Sequence, residues 1–190
     1  MTTPANETRG ARYWVIRILL VAAGASGLIL FTVSKPAFML DPSYEIEVDG
    51  ERRFYDVRLP MGYLADNAYP LLIVLHGGGG SASRVEHVLG LTERAGTRGY
   101  IVAYPEGLDN FWNDGRGGTH SRAVRDNVDD VAFLSSMVDT IAATHGVDQR
   151  RVFLLGVSNG AMMAMRFACE QGDRIAGVAA FNAGLPEPMS

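Results

Sequence analysis

The chain has 190 residues, 47% of them hydrophobic and 20% charged, which favours a single globular domain with a hydrophobic core. Its formal net charge is −4 and no basic run follows the N-terminus, so nucleic acid is not expected as a partner. The single cysteine, Cys169, excludes an internal disulfide and leaves no cysteine cluster for a metal. It lies in an apolar helix pattern, which predicts a packing role.

The N-terminal region has the pattern of an export signal or a membrane anchor. Residues 1–12 are polar, residues 13–34 are apolar apart from Arg17, and residues 35–43 form a linker. A helix starting at Tyr13 would reach about 31 Å, enough to cross the hydrocarbon core. Arginines before this segment and acids after it predict that the rest of the chain lies outside the cytoplasm. No good cleavage site follows, which favours an uncleaved anchor over a cleaved signal; a buried helix of the globular domain is a further alternative.

Residues 44–190 are predicted to form an incomplete α/β domain. Alternating residues on both sides of Asp49-Gly50 predict a β-hairpin over residues 44–60. The remaining elements are expected in this order: a strand over 71–75, a weak helix over 83–99 interrupted by Gly90, a strand over 100–105, a glycine-rich loop over 107–127, a helix from Asp129-Asp130 with Asp129 as its cap, a strand over 150–156, a helix to about Gln171 and a strand over 174–184. This alternation predicts a mainly parallel sheet with helices on both faces.

A GVSNG turn joins the strand and the helix within residues 152–170. A turn this sharp would hold Ser158 in a strained backbone conformation and expose its hydroxyl at the carboxyl edge of the sheet. The small residues Gly156 and Gly160 would let strand and helix approach closely. The amide of Asn159, at the start of the helix, would point at the same place and favour an oxyanion. The pattern predicts a nucleophilic serine; a simple turn between core elements is the alternative.

A glycine tetrad lies in LHGGGGSA, residues 75–82, directly after a predicted buried strand. Glycines let backbone amides turn inward without obstruction, so Gly77 or Gly78 is predicted to supply a second oxyanion donor. A flexible loop and a phosphate-binding nest are the alternatives. A phosphate loop would have a Lys-Ser or Lys-Thr pair after the glycines, and none is present here.

Several stretches together resemble a known family over residues 70–185. They are LHGGGGS, YPEGLDNFWNDGRG, NVDDVAFLSSMVDTIAATHGVDQRRVFLLGVSNGAMMAMRFACE and DRIAGVAAFNAG. The combination is similar to the polyhydroxybutyrate depolymerase and feruloyl esterase group of α/β-hydrolases, which is related to the family-one carbohydrate esterases. The resemblance implies a secreted serine esterase that cleaves carboxylic esters in polymers or on plant cell-wall sugars, without a cofactor.

The same resemblance implies roles for individual residues. Ser158 would be the nucleophile, and Gly78 and Asn159 would supply the oxyanion amides. His76 would position the glycine loop. The loop carrying Trp112 would lie near the site; a packing anchor at Trp112 and a turn residue at Asn113 are the alternatives.

The chain departs from this pattern after the nucleophile, because triad members of this fold follow the order serine, acid, histidine. All four histidines precede Ser158: His76, His87, His120 and His145. The acids after it are Glu170, Asp173 and Glu187. The predicted fold therefore lacks its last strands and the triad acid and histidine, leaving an apolar edge strand and little esterase activity.

The sequence is also consistent with two alternatives to an esterase. One is a membrane-tethered binding module that keeps the substrate cleft without the base. The other is a truncated gene product. The expected partners are an ester substrate, small or polymeric, and a membrane through the N-terminal helix.

Overall fold

The computed structural model describes the backbone of residues 38–40 and all of residues 43–184. The strands in this part of the chain are β1 (Phe38–Leu40), β2 (Tyr44–Val48), β3 (Glu51–Pro60), β4 (Tyr69–Leu75), β5 (Ile101–Pro105), β6 (Val147–Val157) and β7 (Gly177–Phe181). The helices are α1 (Ala82–Leu89), α2 (Leu91–Gly96), α3 (Arg122–Arg125), α4 (Asp130–Thr144) and α5 (Asn159–Glu170), followed by a 3-10 turn at Gly172–Arg174.

The strands form one mixed sheet whose main path is β1-β3-β5-β4-β6-β7, with β2 also paired to β3. Strand β4 runs parallel to β5 and β6, and β6 runs parallel to β7. The pairs that involve β3 are antiparallel. Parallel strands therefore follow the hairpin, as predicted, and β7 is an edge strand of the described sheet.

Left-handed backbone explains two of the predicted boundaries. Asp49 and Gly50 have φ of 52° and 77° and turn the chain between β2 and β3, which confirms the hairpin. Gly90 has φ 57° and ends α1 before α2 begins, so the predicted weak helix is two short helices.

Asp129 caps α4 by accepting a hydrogen bond from the amide of Ala132 at 2.8 Å, as predicted.

Other boundaries differ from the prediction. Strand β6 begins earlier because Val147 pairs with Tyr69 across the sheet. The glycine-rich loop contains α3, which Ser121 caps through its hydroxyl. The packing role predicted for Cys169 is wrong: its side chain is exposed on α5, because the residues of that helix that face the sheet are others, such as Phe167.

The sheet carries helices on both faces, and each face has its own apolar cluster. Helices α4 and α5 cover one face, with buried side chains such as Leu154, Phe133 and Met163. Helices α1 and α2 lie on the other face, over Val74 and Tyr104. The parallel strands β4, β5 and β6 end at the same edge of the sheet, so the segments that follow them meet there.

The predicted signal or anchor, residues 13–34, lies outside the described residues. The chain divides into two units, residues 1–34 and 35–190, and every described residue belongs to the second. Among the helices of the described part, none has the length and apolar character needed to cross a membrane.

Candidate active site at Ser158

Ser158 lies at the turn between β6 and α5 with φ 54° and ψ −120°. A non-glycine residue with positive φ is strained, and such residues concentrate at functional sites. The Ser158 amide donates a hydrogen bond to the carbonyl of Phe181 in β7 at 2.8 Å. Strand β7 therefore holds the strained turn from one side.

Gly156 and Gly160 permit the close approach of strand and helix on which this turn depends. A Cβ at Gly156 would lie 2.2 Å from the carbonyl oxygen of Gly160. A Cβ at Gly160 would lie 2.3 Å from the carbonyl oxygen of His76. Neither position accommodates a side chain without displacing backbone.

The glycine tetrad after β4 lies directly beside this turn. An ideal Cβ at Gly77 would lie 3.5 Å from Cβ of Ser158, and one at Gly78 would lie 3.5 Å from Cβ of Asn159. The structure gives the amides of Gly78 and Asn159 no hydrogen-bond acceptor within residues 43–184. Two unpaired N–H donors next to a serine are the arrangement that binds an oxyanion.

His76 is buried, with 1% of its surface exposed, and its ring is bound on both sides. Its Nε2 accepts a hydrogen bond from the amide of Gly107 at 2.9 Å, so the proton is on Nδ1, which donates to the carbonyl of Gly77 at 2.8 Å. Burial lowers the pKa of His76, and the Gly77 carbonyl and Glu106 only partly oppose that shift. A neutral ring with both nitrogens occupied orients the glycine loop and is not available as a base.

The side chain of Asn159 anchors the start of α5 to the loop after β5. Its Oδ1 accepts from the Trp112 amide at 2.9 Å, and its Nδ2 donates to the Trp112 carbonyl at 3.0 Å and to Asp114 at 2.6 Å. Burial acts to raise the pKa of Asp114, but hydrogen bonds from Arg116 and Asn159 outweigh it and keep the pKa below its ordinary value. The Trp112 indole donates to the carbonyl of His76 at 2.9 Å. Trp112 is therefore both a packing anchor and a neighbour of the candidate site.

A buried ion pair beneath this loop is missed by sequence reasoning. Arg53 of β3 contacts Asp130 at 2.6 Å, with 2% and 0% of their side chains exposed. The second carboxylate oxygen of Asp130 accepts from the Asn113 amide at 2.7 Å. The one feature of the sequence that pointed to this ion pair is the second acid in Asp129-Asp130. One acid is enough to cap a helix, so the other needed a different role.

No hydrogen bond within residues 43–184 joins another histidine to Ser158. His87 and His120 are exposed, and the ring of His120 lies 6.1 Å from that of Phe111. His145 precedes β6, at the opposite end of the strand from Ser158, with its Nε2 3.2 Å from the hydroxyl of Tyr44.

The acids after Ser158 are also engaged elsewhere or exposed. Glu170 pairs with Arg166 at 2.7 Å, Asp173 is exposed on the 3-10 turn, and Glu187 lies outside the described residues. The Ser158 hydroxyl has no hydrogen-bond partner in the part of the chain that the structure describes.

Curated proteins similar to this chain are esterases. A putative esterase, NocK, from Nocardia uniformis subsp. tsuyamanensis is 38% identical over 145 residues, covering 76% of this chain and 42% of the relative. Feruloyl esterase B from Piromyces equi is 33% identical over 127 residues, covering 65% of this chain and 22% of the relative. The chain therefore spans less than half the length of these relatives.

Solved structures share the fold. A ferulic acid esterase from Anaeromyces mucronatus, solved with ferulic acid, has a TM-score of 0.59 at 18% identity and covers 80% of this chain and 61% of that one. A thermostable esterase has a TM-score of 0.59 at 17% identity and covers 75% of this chain and 40% of that one. These likenesses support the α/β-hydrolase-like fold predicted from the sequence. The model of the esterase family named for polyhydroxybutyrate (PHB) depolymerase matches residues 54–185, and the chain belongs to that family.

Proposed function

We propose that this chain carries the nucleophile and the oxyanion hole of an exported serine esterase that cleaves carboxylic esters of the polymer or cell-wall type. The observation that carries the proposal is the backbone of Ser158, held at φ 54° beside two unpaired amides. Turns between core elements rarely store such strain, whereas nucleophile turns require it. Similarity to esterases in sequence and family supports the same chemistry.

In the proposed reaction, Ser158 Oγ forms a bond to the ester carbonyl carbon and loses its proton to a base. The amides of Gly78 and Asn159 hold the oxyanion of the tetrahedral intermediate. The alcohol leaves with a proton, and water then attacks the acyl-serine and releases the acid. His76 contributes by holding the Gly77 carbonyl away from the oxyanion position.

The base itself is proposed to come from polypeptide outside residues 43–184. Within that range His76 has both ring nitrogens bonded elsewhere, and the Ser158 hydroxyl has no partner. Loss of the base of a serine triad lowers turnover by about 10⁶. The 190-residue chain alone is therefore expected to be a weak esterase.

The experiment is labelling of Ser158 by a fluorophosphonate, followed by mass spectrometry, with imidazole in solution as a surrogate base. We expect slow labelling at Ser158 that imidazole accelerates, and none at this site in Ser158→Ala. A folded chain that stays unlabelled at every imidazole concentration would instead favour the alternative, a non-catalytic binding module that keeps the cleft. Labelling at another serine would contradict the assignment of the nucleophile.

Export is a separate part of the proposal and is supported by the sequence of residues 1–34. The arginines before the apolar segment and the acids after it predict a domain outside the cytoplasm. Fractionation of expressing bacteria, with N-terminal sequencing of the mature chain, tests this and separates an uncleaved anchor from a cleaved signal. Full-length protein in the soluble cytoplasmic fraction would contradict both.

A further inference from the structure

The segment after β5, residues 107–114, contacts both elements that carry the proposed oxyanion donors. On one side, the amide of Gly79 donates to the carbonyl of Asn110 at 2.8 Å. On the other side, the backbone of Trp112 donates to and accepts from the side chain of Asn159, at 2.9 and 3.0 Å. No hydrogen bond in the described part of the chain joins the glycine tetrad directly to α5. We call residues 107–114 the bridging segment.

A tight turn within the bridging segment places the ring of Phe111 against Gly78. Asp109 and Asn110 both have left-handed backbone, with φ of 50° and 66°, which reverses the chain in two residues. The Phe111 amide donates to the Leu108 carbonyl across this turn at 3.1 Å. An ideal Cβ at Gly78 would lie 2.6 Å from Cε1 of Phe111. The half-buried Phe111 ring therefore limits where Gly78 can lie.

Asp114 binds Asn159 at the other end of the bridging segment. Its carboxylate is fully buried, and one oxygen accepts from Nδ2 of Asn159 at 2.6 Å. The half-exposed guanidinium of Arg116 donates to the same oxygen at 2.7 Å, and the Arg116 amide donates to the other oxygen at 3.2 Å. Because a buried carboxylate is costly without its partners, the side chain of Asn159 is held in this one arrangement.

We propose that Phe111 and Asp114 are positioning residues for the oxyanion hole, and that the bridging segment sets the spacing between the amides of Gly78 and Asn159. The inference rests on the function proposed for Ser158. The two donors belong to different elements, and donors stabilise an oxyanion only when they are fixed in advance. A misplacement of about 1 Å at such a site can lower the rate about 100-fold.

Asp114→Asn tests the position of the Asn159 amide in the whole chain. Labelling of Ser158 by a fluorophosphonate, at one imidazole concentration and rising reagent concentration, gives a maximum rate and a half-saturating concentration. The new NH2 group would face a donor of Asn159 or of Arg116, so the arrangement cannot persist. We expect the maximum rate to fall about tenfold and the half-saturating concentration to stay the same, because only the transition state uses the displaced amide.

Asp130→Asn is the matched control for Asp114→Asn. Asp130 is also a buried carboxylate and accepts from the amide of Asn113 in the bridging segment, but it hydrogen-bonds to neither Gly78 nor Asn159. Rates are compared at equal folded fraction, measured by circular dichroism. Asp130→Asn is expected to keep the wild-type maximum rate.

Arg116→Ala tests the same end of the bridging segment with a change at the surface. It removes the cation that binds Asp114 and should lower the maximum rate in the same direction by a smaller factor. Arg125→Ala is its control, because Arg125 is exposed and pairs with Asp126 instead. The control should leave both labelling constants unchanged.

A double-mutant cycle tests the contact between Phe111 and Gly78. Gly78→Ala puts a methyl group into the ring, and Phe111→Ala removes the ring that fixes Gly78, so each should lower the maximum rate about tenfold. The double variant should also lose about tenfold, because its methyl group meets no ring, whereas independent effects would multiply to about 100-fold. Phe54→Ala, at a ring that is 42% exposed on β3, is the control and should label like wild type.

Two results would overturn the positioning roles while wild-type labelling of Ser158 stands. One is an equal maximum rate in Asp114→Asn, Asp130→Asn and wild type. The other is a cycle in which the losses at Gly78 and Phe111 multiply. A folded wild-type chain that is never labelled would instead contradict the function proposed for Ser158, and this inference with it.

Discussion

The two faces of the sheet are packed very differently, and β6 shows this most clearly. Val152 and Leu154 point to α4 and α5, with 0% and 1% of their surface exposed. Phe153 and Leu155 alternate with them, point to the side of α1 and α2, and are only partly buried. One strand therefore has a filled side and an open side.

This difference distinguishes the packed residues that position the candidate site from the residues on the uncovered face of the sheet. Helix α5, whose first residues are Asn159 and Gly160, belongs to the filled side, so Ser158 is positioned by well-packed structure. The open side lies over β6 and β7, at the edge of the sheet. The candidate site therefore belongs to the filled side of the sheet.

The largest effect is expected at the buried ion pair on the filled side. Arg53→Leu leaves the Asp130 carboxylate buried without its cation and should lower the free energy of unfolding by about 4 kcal/mol, measured by urea denaturation. The control is Arg52→Leu, whose side chain is 70% exposed beside Glu45 and should change stability by less than about 1 kcal/mol. Equal losses in the two variants would contradict the difference between buried and exposed pairs.

Neighbouring leucines of β6 test the two faces directly. Leu154→Ala removes a buried side chain among α4 and α5 residues and should lower the free energy of unfolding by about 3 kcal/mol. Leu155→Ala removes the same atoms from the partly open side, so about 1 kcal/mol is expected. Urea denaturation of both variants measures the two losses in free energy of unfolding, which can then be compared. A Leu155→Ala loss as large as that of Leu154→Ala would mean that the open side is filled in solution.

Much of the fold followed from local patterns because each element carries its own signal. Asp49-Gly50 requires left-handed backbone, Gly90 ends a helix, and a short apolar run before GVSNG predicts a buried strand. The turn at Ser158 and its neighbouring glycine loop were predicted for the same reason. Strand β1 has three residues and no pattern long enough to detect.

The parts that could not be predicted depend on partners distant in the sequence. Arg53 and Asp130 are 77 residues apart, and Asp130 carried only the local signal of a helix start. The Asn159 side chain contacts Asp114 from 45 residues away. Such pairs are set by how the elements pack, which periodicity does not contain.

His76 directly follows β4, and it makes stability depend on pH. Its pKa in the folded chain is lowered below the ordinary value of 6.5, so the unfolded chain binds the proton first as pH falls. Folding stability is therefore complete above pH 6.5 and decreases below it, by at most about 1.4 kcal/mol per pH unit for one proton. Urea denaturation from pH 7.5 to 5 measures this slope.

His76→Gln should flatten that slope, since glutamine does not titrate. His87→Gln is the matched control, because it makes the same substitution at an exposed position. Parallel profiles for wild type and His76→Gln would show that the acid sensitivity arises from other groups.

The smallest effect on stability is expected on the open side itself. Ala179 is exposed on β7, so Ala179→Lys should change the free energy of unfolding by less than about 0.5 kcal/mol. A charge there should still reduce association through the apolar face and edge strand, measured by light scattering at rising protein concentration. Ala179→Gln adds similar bulk without charge and separates the two causes. Because a lysine is tolerated only where the side chain reaches water, a loss of several kcal/mol would show that this face is already covered and that the two sides of β6 are alike.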